Sequence, residues 1–160
     1  MLIGQVSVVV KPWYGQFYLQ RGNASWASDR VSDIGYETRL EAAEIFVYVG
    51  TSMYGHPTAV RMEVHDHEPG LSESADQVVE VGLGGVGGVA VLNWGDDTPV
   101  AKIEVPDGPC RLRGSWFEIA AAQAHPDNDL GGGELSPENL LIQVWPSTET
   151  TRHVLREWPH

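Results

Sequence analysis

The sequence predicts an all-β protein, an antiparallel β-sandwich of about eight or nine short strands with few or no helices. Three observations lead there. Apolar and polar residues alternate with period 2 in several short runs, most clearly where Val60, Met62 and Val64 face one way and Arg61, Glu63, His65 and His67 the other. Gly, Pro, Asn and Asp punctuate these runs at intervals of about 8 to 12 residues, the spacing of strands joined by turns. No stretch carries the 3.6-residue period of a convincing amphipathic helix.

Residues 2–10 and 15–20 read as strands, the first from its β-branched run and the second because Phe17 and Leu19 share a face, with Lys11-Pro12 between them. Residues 21–35 have no period and are rich in Ser, Asn, Asp and Gly, so they form a surface loop with Trp26 tucked beneath it. A further strand suits residues 36–40, and EIFVYV at 44–49 is apolar on both faces, as a central strand is. The alternating run that starts at Val60 stops at Pro69-Gly70, and a link rich in serine and acid leads to a strand at 78–81. A glycine-heavy hairpin turn then leads to a strand at 86–94, which ends at Gly95-Asp96-Asp97.

The stretch from Pro99 to Gln123 organises the rest. Ala101, Ile103 and Val105 lie on one face and Lys102 and Glu104 on the other, and alternation resumes at Arg111, Leu112 and Arg113. Between the arms Pro106-Asp107-Gly108 supplies a fixed φ, a side-chain acceptor and a φ-permissive glycine, so the two arms are expected to form a hairpin. The second arm is read as a strand through 117–124, although its alanines also suit a helix. LLIQVW at 140–145 is the last strand, closed by Pro146. Residues 1–146 thus make one domain, followed by a weakly helical or loose tail at 147–160.

Ten basic residues against 22 acidic ones give a formal charge of −12, which repels nucleic acid and anionic membranes and admits a cationic partner or a cation. A single cysteine, Cys110, leaves no internal disulfide and suits a reducing cytoplasm. The first residues, MLIGQVSVVVK, lack the basic region and cleavage pattern of a signal peptide and read as a strand. The sequon at Asn23 accordingly has no secretory context.

Four patterns bear on chemistry. Residues 82–87 match the dinucleotide fingerprint G-x-G-x-x-G, with Glu104 about 20 residues on, but the next residues are a short β-prone run with no room for the helix whose N–H groups bind phosphate. His65 and His67 share a strand face with Glu63, an H-x-H arrangement that offers two imidazoles and a carboxylate to one divalent cation; the dull alternative is a solvated strand face. Asp127, Asp129, Gly132 and Glu138 occupy positions 1, 3, 6 and 12 of a calcium-type loop, but Gly131 stands at position 5 and a strand comes next where a helix should. Cys110 has no recognisable base beside it, so it reads as a small core residue, and no catalytic residue is assigned.

The remaining feature is a concentration of acid: Glu63, Asp66, Glu68, Glu73, Asp76 and Glu80 around one sheet edge, near exposed aromatics such as Tyr54 and Trp94. Such a ridge fits a basic protein by complementary potential.

QFYLQ, PDGPCRLRGSWF, an acidic glycine loop and ENLLIQVWP, in that order, resemble the competence protein J family, small bacterial β-sandwich inhibitors of a DNA-entry nuclease. The chain departs from that pattern in its longer glycine loop at 82–88 and its extension beyond Pro146, and no inhibitory residue carries over. The resemblance implies a sandwich that acts by binding a protein, an acidic body opposed to a basic nuclease. Two classes of function stay open: a non-enzymatic binding module without a cofactor, and a cation-binding or cupin-like enzyme built on His65 and His67.

Overall fold

The computed structural model describes residues 1–22, 39–43, 45–126 and 132–159. These form two sheets. The strands are β1 (Leu2–Val10), β2 (Gln16–Arg21), β3 (Leu40–Ala43), β4 (Phe46–Gly50), β5 (Thr58–His65), β6 (Gln77–Leu83), β7 (Val89–Asn93), β8 (Ala101–Ile103), β9 (Cys110–Phe117), β10 (Asn139–Pro146) and β11 (His153–Arg156). One short helix, α1 (Ile119–Gln123), comes after β9. The six-stranded sheet runs β1-β5-β10-β9-β6-β11 and the five-stranded sheet β3-β4-β2-β7-β8. No helix among the described residues is long and apolar enough to cross a membrane.

Both sheets feed one hydrophobic cluster, in which Phe17, Leu19, Val47, Val49, Val89 and Val91 meet Val60, Met62, Val64, Leu112, Trp116, Ile142 and Val144. The alternation read from β5 is the reason: its even-numbered residues from Val60 to Val64 are buried in this layer, while Arg61 is exposed. Trp116 joins the sheets directly, its indole N–H donating to the Gly50 carbonyl at 2.8 Å. Its ring lies so close over Gly114 that a Cβ there would sit 2.7 Å from it, which explains a glycine in the middle of a strand. On the far side of the five-stranded sheet, Tyr18, Tyr48 and Leu92 form a second buried cluster, where burial pushes the Tyr18 hydroxyl up to about 12.

The all-β class holds, with departures of two kinds. Three concern pairing. The PDGP stretch is not a hairpin turn: β8 pairs with β7 in one sheet while β9 pairs with β10 and β6 in the other. The glycine-rich stretch after β6 is likewise not a hairpin, since β6 and β7 belong to different sheets. Strand direction is mixed, because β10 pairs antiparallel with β9 but parallel with β5. Two more concern single segments. Residues 117–124 leave the strand at Glu118, which turns left-handed at φ 61, and the alanines then form α1, with Asp76 Oδ2 accepting the Ile119 N–H at 2.9 Å. The segment expected to be a weakly helical or loose tail contains β11, which extends the sheet by pairing with β6. Of the expected loop and strand across 21–40, residues 23–38 lie outside the described residues.

Arg21 explains how two crossings between sheets are held. It is 1% exposed, and its guanidinium donates to Leu83 O (3.4 Å) and Gly87 O (3.1 Å) around the first crossing and to Pro106 O and Gly108 O (both 2.7 Å) in the second. Gly87, Pro106 and Gly108 lie outside the strands, so their carbonyls have no place in a ladder, and a buried carbonyl without a donor costs about 1–3 kcal/mol. Because the acceptors surround a planar fork, lysine is no substitute. Arg21→Lys is expected to lower the unfolding free energy by about 2–4 kcal/mol, read as a shift in urea midpoint with unchanged slope. A shift below about 0.5 kcal/mol would show that the crossings hold without it.

Candidate protein-binding surface

The outward face of the six-stranded sheet is polar yet buried. Cross-strand register sets Glu80 beside Arg113, Arg113 beside Gln143 and Gln143 beside Glu63. Glu80 accepts from Arg113 Nε at 2.7 Å through one oxygen and from Arg111 Nε at 3.1 Å through the other. Arg113 also donates to Pro69 O at 2.8 Å and to Glu68 Oε1 at 2.9 Å, with the Trp145 ring 4.9 Å from its guanidinium carbon. The connection from β5 to β6, residues 66–76, therefore lies as a strap against the sheet. Its second half is pinned by Arg156, which donates to the carbonyls of Ser72, Glu73 and Ala75.

The six acids predicted to form one exposed ridge are divided by this arrangement. Glu63 and Glu80 are buried. Glu63 accepts from Arg61 (2.7 Å), His65 (2.9 Å) and Gln143 (3.1 Å). Asp76 is half-buried and caps α1. Asp66, Glu68 and Glu73 remain exposed on the strap, together with Leu71 at 50% exposure. A period-2 count finds the strand face, but it does not reveal that a later segment covers it.

The cation readings fare differently. His65 ends β5 and contacts Glu63, whereas His67 lies beyond the strand and contacts Asp66. Among the described residues no group of three or more His, Cys, Asp or Glu is arranged to hold a metal ion. Asp127, Asn128, Asp129 and Gly131 lie outside the described residues. Glu138, the twelfth position of that loop, is fully buried and accepts from Arg39 Nη1 at 2.8 Å and the Ser52 N–H at 2.6 Å; burial pushes its carboxyl up, against the pull of Arg39. The fingerprint glycines run from β6 into the crossing toward β7 with no helix behind them. Cys110 is buried, and burial pushes its thiol up.

A second surface lies past the Thr58 end of β5. Trp13 and Tyr14 from the β1–β2 connection, Tyr54 from the β4–β5 connection and Trp94 after β7 form a chain of rings, with centroids 5.6 Å apart for Trp13–Tyr54, 5.2 Å for Tyr14–Tyr54 and 4.7 Å for Tyr14–Trp94. Of the two aromatics expected from the sequence to be exposed, Trp94 is exposed and Tyr54 is half-buried among the neighbouring rings; Trp13 and Tyr14 are not expected, and the signal for them is the compact PWYG turn at Pro12.

The two sheets and their connections define the class: a mainly β protein of the same fold as two proteins of known structure. The first is ComJ from Bacillus subtilis, the inhibitor of the DNA-degrading activity of NucA, which superposes with a TM-score of 0.66 at 11% identity over 92% of this chain and 99% of that one. The second is described as crocagin biosynthetic gene J, with a TM-score of 0.56 at 14% identity over 90% of this chain and 97% of that one. No protein-family model and no curated protein matches the sequence.

The buried polar face sets the acid stability. Burial pushes the Glu63 carboxyl up, but the hydrogen bonds from His65 and Gln143 and the charge of Arg61 outweigh it and hold the group below its ordinary 4.5. A carboxyl depressed on folding stabilises the protein fully above the unfolded value, and that contribution disappears as pH falls through the folded value. Glu63→Gln should therefore unfold about 1–2 kcal/mol more easily at pH 7, with the gap closing below pH ~4 in denaturant titrations. A gap independent of pH would rule out an ionised Glu63. Glu80→Gln, which removes the charge shared by two buried guanidinium groups and puts an amide NH2 donor where one of their acceptor oxygens stood, should cost more, about 3–5 kcal/mol.

Proposed function

We propose that the chain is a protein-binding module, a β-sandwich whose acidic exterior docks on a basic protein such as a nuclease and acts as an inhibitor or immunity-type partner. One observation carries this reading. Among the described residues four of the basic side chains, Arg21, Arg39, Arg111 and Arg113, are buried, and the exposed ones are Lys11, Arg61 and Lys102. Acids dominate the outside, among them Asp66, Glu68, Glu73, Asp96, Asp97, Glu104, Asp107 and Glu118.

The strap is the favoured contact. It presents Asp66, Glu68 and Glu73 around exposed Leu71 on backbone tied down by Arg113 and Arg156, so little ordering entropy is lost when a partner binds. A negative patch of this kind steers a positive partner and raises its association rate. The shared fold with ComJ, itself an inhibitor of a nuclease, supports the same reading.

The test is capture of partners from a lysate of the source cell on immobilised protein, followed by association kinetics with the purified partner. A basic protein should be retained, and its association rate should fall steeply with ionic strength and about threefold or more in Glu73→Lys, whose side chain is exposed. An association rate indifferent to both salt and charge reversal would remove the acidic surface from the function.

A further inference from the structure

We propose that the ring cluster of Trp13, Tyr14, Tyr54 and Trp94 is a second docking surface, which receives an arginine-bearing segment of a protein partner. The inference rests on the reading of a basic partner, but it concerns a different surface from the strap. The strap leaves β5 after His65, whereas Tyr54 precedes Thr58, and the eight residues of β5 between them span roughly 25 Å.

Exposure is the first argument. Trp13, Tyr14 and Trp94 are 42%, 47% and 40% exposed, although their rings already touch one another. A cluster formed only to bury apolar surface would turn inward; this one gathers aromatics from three connections and leaves Trp13, Tyr14 and Trp94 facing solvent around a half-buried Tyr54. Trp and Tyr are the residues most often found at the energetic centre of protein interfaces.

The backbone is the second argument. Tyr14 has φ 58 and ψ 24, left-handed values that are strained for a residue with a Cβ. Glycine would adopt them freely, and Gly15, also left-handed at φ 67, is its neighbour. The strained conformation holds the Tyr14 ring between Tyr54 and Trp94, so the cost goes into displaying that ring.

Charge selects the occupant. Trp94 sits in a turn with Asp96 and Asp97, both exposed, and the turn is closed by the Asp96 N–H donating to Asn93 O at 3.2 Å. Lys11 is the exposed base on the adjoining connection. Aromatic faces attract cations, two carboxylates beside Trp94 add to that field, and a guanidinium can stack on rings while its N–H groups reach carboxylates. A neutral glycan would gain from the rings but nothing from the charge.

The test uses isotope-labelled protein and three probes, an amidated hexa-arginine peptide, cellohexaose and chitohexaose, followed through the indole N–H resonances of Trp13 and Trp94. Trp13→Phe and Trp94→Phe assign those signals. The peptide should shift both in a saturable manner. Tyr14→Gly, which removes a ring and relieves the left-handed strain, should weaken the peptide at least fivefold. The inference is overturned if the peptide leaves both indoles unmoved, if Tyr14→Gly binds it equally well, or if only the saccharides shift them. Movement of strap amides at 66–76 without the indoles would sink this inference and leave the proposed function standing; movement of neither would sink both.

Discussion

A guanidinium stays protonated at any pH a protein meets, so each one taken out of water must be surrounded by acceptors. Among the described residues four are buried, and much of the architecture comes from supplying them with acceptors, although Arg39 Nε and Arg111 Nη2 are buried without one. Arg21 draws together carbonyls from two crossings between the sheets. Arg113 draws the strap onto the sheet, and Arg111 reaches the carbonyls of Glu149 and Thr151 and so guides the last segment toward β11. Arg39 is met by Glu138 and Ser52 where β3 begins. Apolar packing supplies the drive to fold, and these cations decide which connection lies where.

The same withdrawal of positive charge shapes the exterior. The buried arginines are met by buried Glu80 and Glu138, by backbone carbonyls and, for Arg113, by exposed Glu68, so most of the exposed acids have few exposed bases to answer them. The outside is therefore more uniformly negative than an even scatter of ten bases among 22 acids would be. A rigid strap and a strained, solvent-facing group of rings stand out on that background, one offering charge and the other aromatic surface.

Strand positions are legible because alternation is a local property, and β1, β2, β5 and β10 lie close to where the pattern sets them. Pairing is not. A proline–glycine corner that closes a hairpin and one that carries the chain to the opposite sheet use the same residues, and what separates them here is Arg21, some 85 residues away. The acidic ridge misleads for a related reason: Glu63 and Glu80 alternate outward as a wetted face requires, yet both are buried against cross-strand partners, Glu63 against Gln143 and Glu80 against Arg113. The four-residue β11 is too short to show a period, and it is a strand because β6 offers an edge. Gly82 permits that approach, since a Cβ there would lie 2.7 Å from Thr150 Cα.

By itself the sequence determined the all-β class, the apolar face of each principal strand and the negative sign of the surface, because these depend on residue type and on spacing within a few positions. Tertiary structure alone decided which sheet each strand joins, which carboxylates face water and which rings gather at the exposed end. Those outcomes rest on hydrogen bonds and contacts between residues tens of positions apart, whose partners become identifiable only once the chain has folded back on itself.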